Sequence, residues 1–221
     1  MFGVGSNPVV NTDIGNGDVE LILGPADSIT VTAELRKPES IEYSATRDGN
    51  TITVIAKTKN NSRADVTITV PADTTFSLST GSGDVDVPAV NASGSVNSGS
   101  GSLTLVNTGG DVTLSTGSGD VDARDLEGSF GLSSGSGDVD FKVELAQGSE
   151  NKFSSGSGSV TAQLTGTPSV DLDLEIEQEG KVRVELSATV VENTEHRFAG
   201  TVGAGDAALT VRVGDGDIVV E

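Results

Sequence analysis

The chain has 221 residues, a formal charge of −20 from 33 acidic and 13 basic side chains, 29 glycines and no cysteine. Lack of cysteine excludes disulfides and thiolate metal sites, and a polyanion of this strength repels nucleic acid and anionic lipid. The apolar 34% falls in short alternating runs, not in stripes at helical spacing, which predicts one all-β domain. No segment reaches the ~20 apolar residues of a membrane span, so no direct membrane insertion is expected. Met1–Ser6 lacks the basic start and apolar run of a signal peptide. The expectation is a cytoplasmic protein, or an extracytoplasmic one whose leader has been removed.

In chain order, the first signal is Gly15-Asn-Gly-Asp-Val-Glu-Leu21, a glycine corner followed by alternation. Longer strands are predicted over 28–35, 41–46, 51–58 and 65–70, with Asp48-Gly49-Asn50 as a turn and 59–64 as a loop. Residues 1–75 thus read as amino-terminal strands and a cap.

Residues 76–165 carry a repeat. Leu78-Ser-Thr-Gly-Ser-Gly-Asp-Val-Asp-Val87 recurs without gaps at Val96–Leu105, Leu114–Ala123, Leu132–Phe141 and Phe153–Ala162. Its corner glycines are Gly81 and Gly83, Gly99 and Gly101, Gly117 and Gly119, Gly135 and Gly137, and Gly156 and Gly158. The spacings are 18, 18, 18 and 21 residues. A fixed period with fixed punctuation predicts stacked coils, a β-solenoid (β-helix) with about 18 residues per coil. Each coil supplies two short strands around a Gly-Ser-Gly corner, where glycine tolerates crowded or left-handed backbone. The second strand of each coil should place Val85, Leu103, Val121, Val139 and Val160 in one inward column.

Residues 166–221 read as degenerate coils, with corners at Gly180 and at Val213-Gly-Asp-Gly-Asp-Ile218. In Val170–Glu177 acids alternate with apolar residues, and Lys181 and Arg183 follow; this reads as a strand whose acids meet bases on the next coil. The closing Ile218-Val-Val-Glu221 is expected as an open outer edge, which predicts possible end-to-end self-association through unpaired backbone groups.

Three of these features resemble the toastrack domains, an adhesin-like prokaryotic family of unknown function. They are Ile68-Thr-Val-Pro71 closing the amino-terminal strands, the reiterated Ser-Thr-Gly-Ser-Gly-Asp-Val-Asp-Val motif, and Gly216-Asp-Ile-Val-Val220. The resemblance implies a right-handed single-stranded β-solenoid, placement in the cell envelope, an envelope or protein partner of unknown identity, and no established catalytic residues.

The residues themselves offer few sites. Asp120, Asp122, Asp138 and Asp140 should form a grid of carboxylates on one outer face, ~4.8 Å apart between coils and ~6.8 Å along a strand. Such a grid is the weak candidate for Ca²⁺ binding. Ser102, Thr104, Ser159 and Thr161 interrupt it in other coils, as relief of like-charge repulsion would require. A calcium β-roll needs Asp where Val85, Leu103, Val121, Val139 and Val160 stand. The Gly-Ser-Gly loops lack the following helix of a phosphate site. His196 is the single histidine and has no triad partners in sequence. Paired carboxylates of a polysaccharide-active enzyme need two different environments, which a regular ladder does not supply. The leading reading is therefore a non-catalytic envelope or surface module without a cofactor, an adhesin-like binding unit or a structural scaffold. A cation-responsive solenoid and a polysaccharide-active enzyme are the alternatives.

Overall fold

The structure, a computed structural model, describes residues 1–88, 93–106 and 109–221. It is all-β, and among the described residues a 3-10 turn at Pro38–Ser40 is the one helical segment. The strands form two large mixed sheets of 11 and 12 strands. Alternation drives this arrangement. Arg63–Val70, for example, buries Ala64, Val66, Ile68 and Val70 on one side and leaves Thr67 and Thr69 partly exposed on the other. The apolar faces of both sheets meet in one continuous core.

Parallel pairing follows the repeat. In the first sheet Leu103 lies beside Val85 on one side and Val121 on the other. Val121 then pairs with Val139, Val139 with Val160 and Val160 with Ile218. All six side chains are buried. In the second sheet Leu78, Val96, Leu114, Leu132 and Phe153 line up in the same way.

The ends depart from chain order. Val19–Leu23 sits between Arg63–Val70 and Val85–Pro88, and Val9–Ile14 sits between Thr51–Thr58 and Thr75–Thr80. The amino-terminal coil is thus tucked one level inside the stack. Outside it lie antiparallel strands, Ser28–Arg36 on the first sheet and Ile41–Asp48 on the second. Residues 63 and 64 extend the last strand of this cap and do not belong to a 59–64 loop. Ala64 faces the core, and Arg63 pairs with Asp18 and Asp65.

The other end mirrors this. Ile218–Val220 pairs with Val160–Leu164 on one side and Val182–Val184 on the other. Ala207–Asp215 likewise runs between Glu150–Ser157 and Val170–Ile176. The chain passes outward through 170–184, turns back through Thr189–Asn193 and Arg197–Val202, and returns to fill the level it had left. This corrects the expected open edge at Ile218–Glu221, whose backbone groups are paired on both sides. Degenerate coils carry the period but not the order of stacking, which the core settles.

Candidate functional surface

The corners come first, because the repeat motif is spent on them. Two columns of glycine run along the stack. A Cβ on Gly83, Gly101, Gly119, Gly137 or Gly158 would strike the carbonyl oxygen of the equivalent glycine one coil back. Their φ angles of 142° to 155° also lie where side-chain-bearing residues are disfavoured. The first-column glycines, Gly81, Gly99, Gly117, Gly135 and Gly156, stack equally closely on their predecessors.

The residue before each first glycine is a buried hydroxyl. Thr80, Ser98, Thr116, Ser134 and Ser155 donate to the carbonyls of Gly17, Gly83, Gly101, Gly119 and Gly137 at 2.8–3.0 Å. Each hydroxyl satisfies an acceptor that the sharp corner withdraws from the sheet ladder. In the end coils Ile14 and Val213 occupy this column.

The residue after each second glycine reaches the other way. Asp120 accepts the backbone N–H of Asp138 at 3.0 Å, and Asp138 accepts that of Ser159 at 2.8 Å. Asp84 does the same for Ser102, Asp18 for Asp84, and Asp217 for Lys181. Ser159 serves Asp217 through its hydroxyl at 3.2 Å. The Asp/Ser alternation therefore has a structural reading that the sequence did not suggest. Both residue types accept one N–H, as they do in local turns.

The expected four-carboxylate grid is accordingly divided. Asp120 and Asp138 sit in the corner, before the strands that begin at Val121 and Val139. Asp122 and Asp140 sit on the strand faces and pair in register. Asp122 accepts both Nε and Nη2 of Arg124 at 2.6 Å. Among the described residues, no three carboxylate or imidazole groups converge as a metal site requires.

Beside Asp122 and Asp140 lies a shallow groove of about 390 Å³, lined also by Arg124, Asp125, Lys142, Gln163 and Glu221. A β-bulge lies at its rim. The register shifts between Arg124 and Leu126, and Asp125 takes φ 53°, a left-handed conformation that Asp tolerates better than most residues. The sequence carried the signal: inward positions run Val121, Ala123, then Leu126, a step of three where two is regular.

Further along the first sheet Asp86 lies in register with Glu20. Partial burial, and then the Glu20 charge, holds the Asp86 carboxyl above its ordinary value of 3.8. A carboxyl with a raised folded pKa binds its proton more tightly in the fold. It therefore costs stability at neutral pH, and the cost disappears as pH falls through the window between the folded value and 3.8. Asp86→Asn is expected to raise stability at pH 7 by up to about 1 kcal/mol, the scale of a like-charge cross-strand pair. Its advantage should shrink as pH falls through that window. Thermal melts of both proteins across pH check this, and a constant difference would remove Asp86 as the cause.

The outer face of the second sheet is different in kind. One column reads Ser77, Ser95, Thr113; the next reads Ser79, Asn97, Ser115, Ser133, Ser154. Neighbouring hydroxyls touch, Ser77 with Ser95 at 3.3 Å and Ser133 with Ser154 at 3.1 Å. Charge returns at Glu150 and Lys152, on the strand of Ser154, and in the strands beyond it. There Glu175 stands in register with Arg197 on one side and Arg212 on the other. Arg197 bridges Glu175 at 3.2 Å and Glu192 at 2.8 Å, while Arg212 holds Asp173 at 2.5 Å. Asp173 and Glu175 thus meet Arg197 and Arg212, while Asp171 accepts the hydroxyl of Thr201; Lys181 and Arg183 lie elsewhere. His196 is exposed and joins the fold through its carbonyl, which accepts the N–H of Ile176.

Stacked corners, a hydroxyl column inside and an acceptor column outside define an all-β repeat protein built by iteration of one coil motif. The chain belongs to the Toastrack DUF4097 family, whose profile matches residues 61–221. That span holds all three features of the resemblance, whereas the tucked first coil lies outside it. No curated protein matches the chain by sequence. Two crystal structures are distantly similar across nearly the full length. One is a candidate cell adhesion protein from Clostridium sporogenes, with 14% identity and a TM-score of 0.44, covering 99% of this chain and 93% of its own. The other is a candidate adhesin from Bacteroides fragilis, with 12% identity and a TM-score of 0.47, covering 100% and 94%.

Proposed function

We propose that this chain is a non-catalytic module of the cell envelope or cell surface, an adhesin-like binding unit on a rigid scaffold. The scaffold is a right-handed β-solenoid of about 18-residue coils. Support for the coil comes from the register itself, in which Leu103 lies between Val85 and Val121. Support for the binding role comes from one observation. On a chain of charge −20, the middle of the second sheet presents uncharged Ser, Thr and Asn side chains in straight columns. Charge is costly to dehydrate, and the centres of contact surfaces are depleted in it. A flat array of hydroxyl and amide groups costs less to dehydrate than charge and offers a partner donors and acceptors at the strand spacing.

The test inserts charge into that face. Ser95→Asp with Ser133→Asp changes two outward side chains and leaves the core alone. Purified protein is expected to be retained on envelope preparations of the source cells. The double variant should lose that retention at least tenfold, while Thr104→Asp on the opposite face keeps it. Equal retention by all three proteins, or none by the parent, sinks the reading. Recovery of the tagged chain from cytosol alone would remove the compartment assignment, and an electron-density map showing a left-handed path would remove the scaffold's hand.

A further inference from the structure

The outermost strands of the second sheet are Ile41–Asp48 at one end and Thr189–Asn193 at the other. Each pairs with one neighbour, so each offers a row of backbone groups on its outer side. These two strands also carry three of the exposed large apolar side chains among the described residues: Tyr43 at 36%, Val190 at 51% and Val191 at 82%. Val191 is the extra residue of a bulge between Val190 and Glu192.

Two further properties make the ends complementary. The first is direction. Ile41–Asp48 runs antiparallel to Thr51–Thr58, which shares its direction with the strands of the regular coils. Thr189–Asn193 is antiparallel to Arg197–Val202, itself antiparallel to Val170–Ile176, and so runs with the regular coils. Two copies stacked in the same orientation would therefore bring these strands together antiparallel, a ladder that continues the sheet. The second is charge. Residues 28–70 hold six basic and five acidic side chains, a balance of +1, whereas residues 170–212 hold four basic and nine acidic, a balance of −5.

We propose that the chain assembles head to tail, the Thr189–Asn193 edge of one copy pairing with the Ile41–Asp48 edge of the next. This is a heterologous contact, so it extends instead of closing at a dimer. It is independent of what the hydroxyl face binds. Repulsion between the acidic middle coils opposes it at low salt. At about 0.15 M ionic strength the Debye length is about 8 Å, shorter than the several strand spacings that separate those coils from the join, whereas the contacting caps still feel each other.

The test uses two variants of exposed side chains. Val191→Lys puts a positive charge against the positive cap, and Tyr43→Glu puts a negative charge against the negative one. At about 0.15 M salt, the average mass of the parent protein in sedimentation should rise with concentration. Each variant alone should stay monomeric, with parental circular dichroism and melting. Their equimolar mixture should assemble again, because the intact end of each copy meets the intact end of the other and the two altered ends carry opposite charges. A parent that is monomeric at every concentration overturns the proposal. So does a variant that dimerises alone, which would show a two-fold symmetric contact, and so does a mixture that stays monomeric. Should either variant melt early, Thr46→Glu or Thr189→Lys on the same edges takes its place.

Discussion

Gly119→Ala is expected to be among the most damaging of the single-methyl changes available in this chain. The added Cβ would strike the carbonyl oxygen of Gly101, with the Gly101 carbonyl carbon at 2.5 Å and the Ser102 nitrogen at 3.1 Å. All three obstacles are backbone, and none can rotate away. Gly119 also has φ 153°, a conformation whose cost for a side-chain-bearing residue is of order 1–3 kcal/mol. Relief requires parting two coils, which strains the bonds from Gly101 N–H to the Ser118 carbonyl and from Gly117 N–H to the Ser98 carbonyl. At about 1 kcal/mol per bond, the total reaches about 4 kcal/mol, or a drop in melting temperature of about 10 °C for a chain of this size. Gly131→Ala is the control. Its Cβ would meet only the Thr113 side chain, at 3.7 Å, and its backbone is not left-handed. That change should be neutral or stabilising by up to about 1 kcal/mol, through the unfolded chain. Similar melts for the two variants would mean that the corners yield, and that the glycine columns reflect composition and not necessity.

The same comparison shows which parts of the fold were legible in the sequence. Gly119 belongs to a motif with invariant internal distances, and a fixed distance from corner to apolar residue forces one register. The column from Val85 to Val160 follows from that alone. The Gly49–Asn50 turn was legible for a local reason, since two residues with turn chemistry separate two alternating runs. Stacking order at the ends was not legible. Gly15-Asn-Gly17 and Gly214-Asp-Gly216 announce coils, but nothing local says that each is tucked one level inward beneath a later or earlier segment. That choice is made by long-range burial: Ile218 and Val220 are fully buried because Val182–Val184 covers them.

The surface was misread where one residue type serves two purposes. Asp120 and Asp122 look alike in the motif, yet one accepts a backbone N–H of the next coil and the other faces Arg124. The clue was present in Ser102 and Ser159, which share with Asp an acceptor on a short side chain. The buried hydroxyls were legible by parity: Thr80 stands two residues after inward Leu78 and must also point inward. A buried hydroxyl needs a partner, and the glycine carbonyl of the preceding coil is the one the corner leaves free.

Phe141→Ala is expected to cost nearly as much as the corner substitution, for a reason that belongs to the core. Phe141 and Phe153 come from opposite sheets and stack with ring centres 3.9 Å apart and planes 25° from parallel. Both are buried. In register, the neighbours of Phe141 are Ala123 and Ala162, so its ring fills space that two small residues leave open. That pairing of large with small follows from close packing, and it means that truncation cannot be healed from either side. Removing a buried Phe side chain generally costs about 3–5 kcal/mol, and loss of the ring pair accounts for about 0.5–1.5 kcal/mol beyond area alone. Phe141→Leu should cost clearly less, because most of the volume stays. Denaturant melts of Phe141→Leu, Phe153→Leu and the double variant separate volume from stacking. Stacking predicts that the two single costs sum to more than the double cost, because either change alone removes the ring pair. Strict additivity would show that the rings merely fill space, and a cost for Phe141→Ala below about 1 kcal/mol would show that the core collapses around the gap.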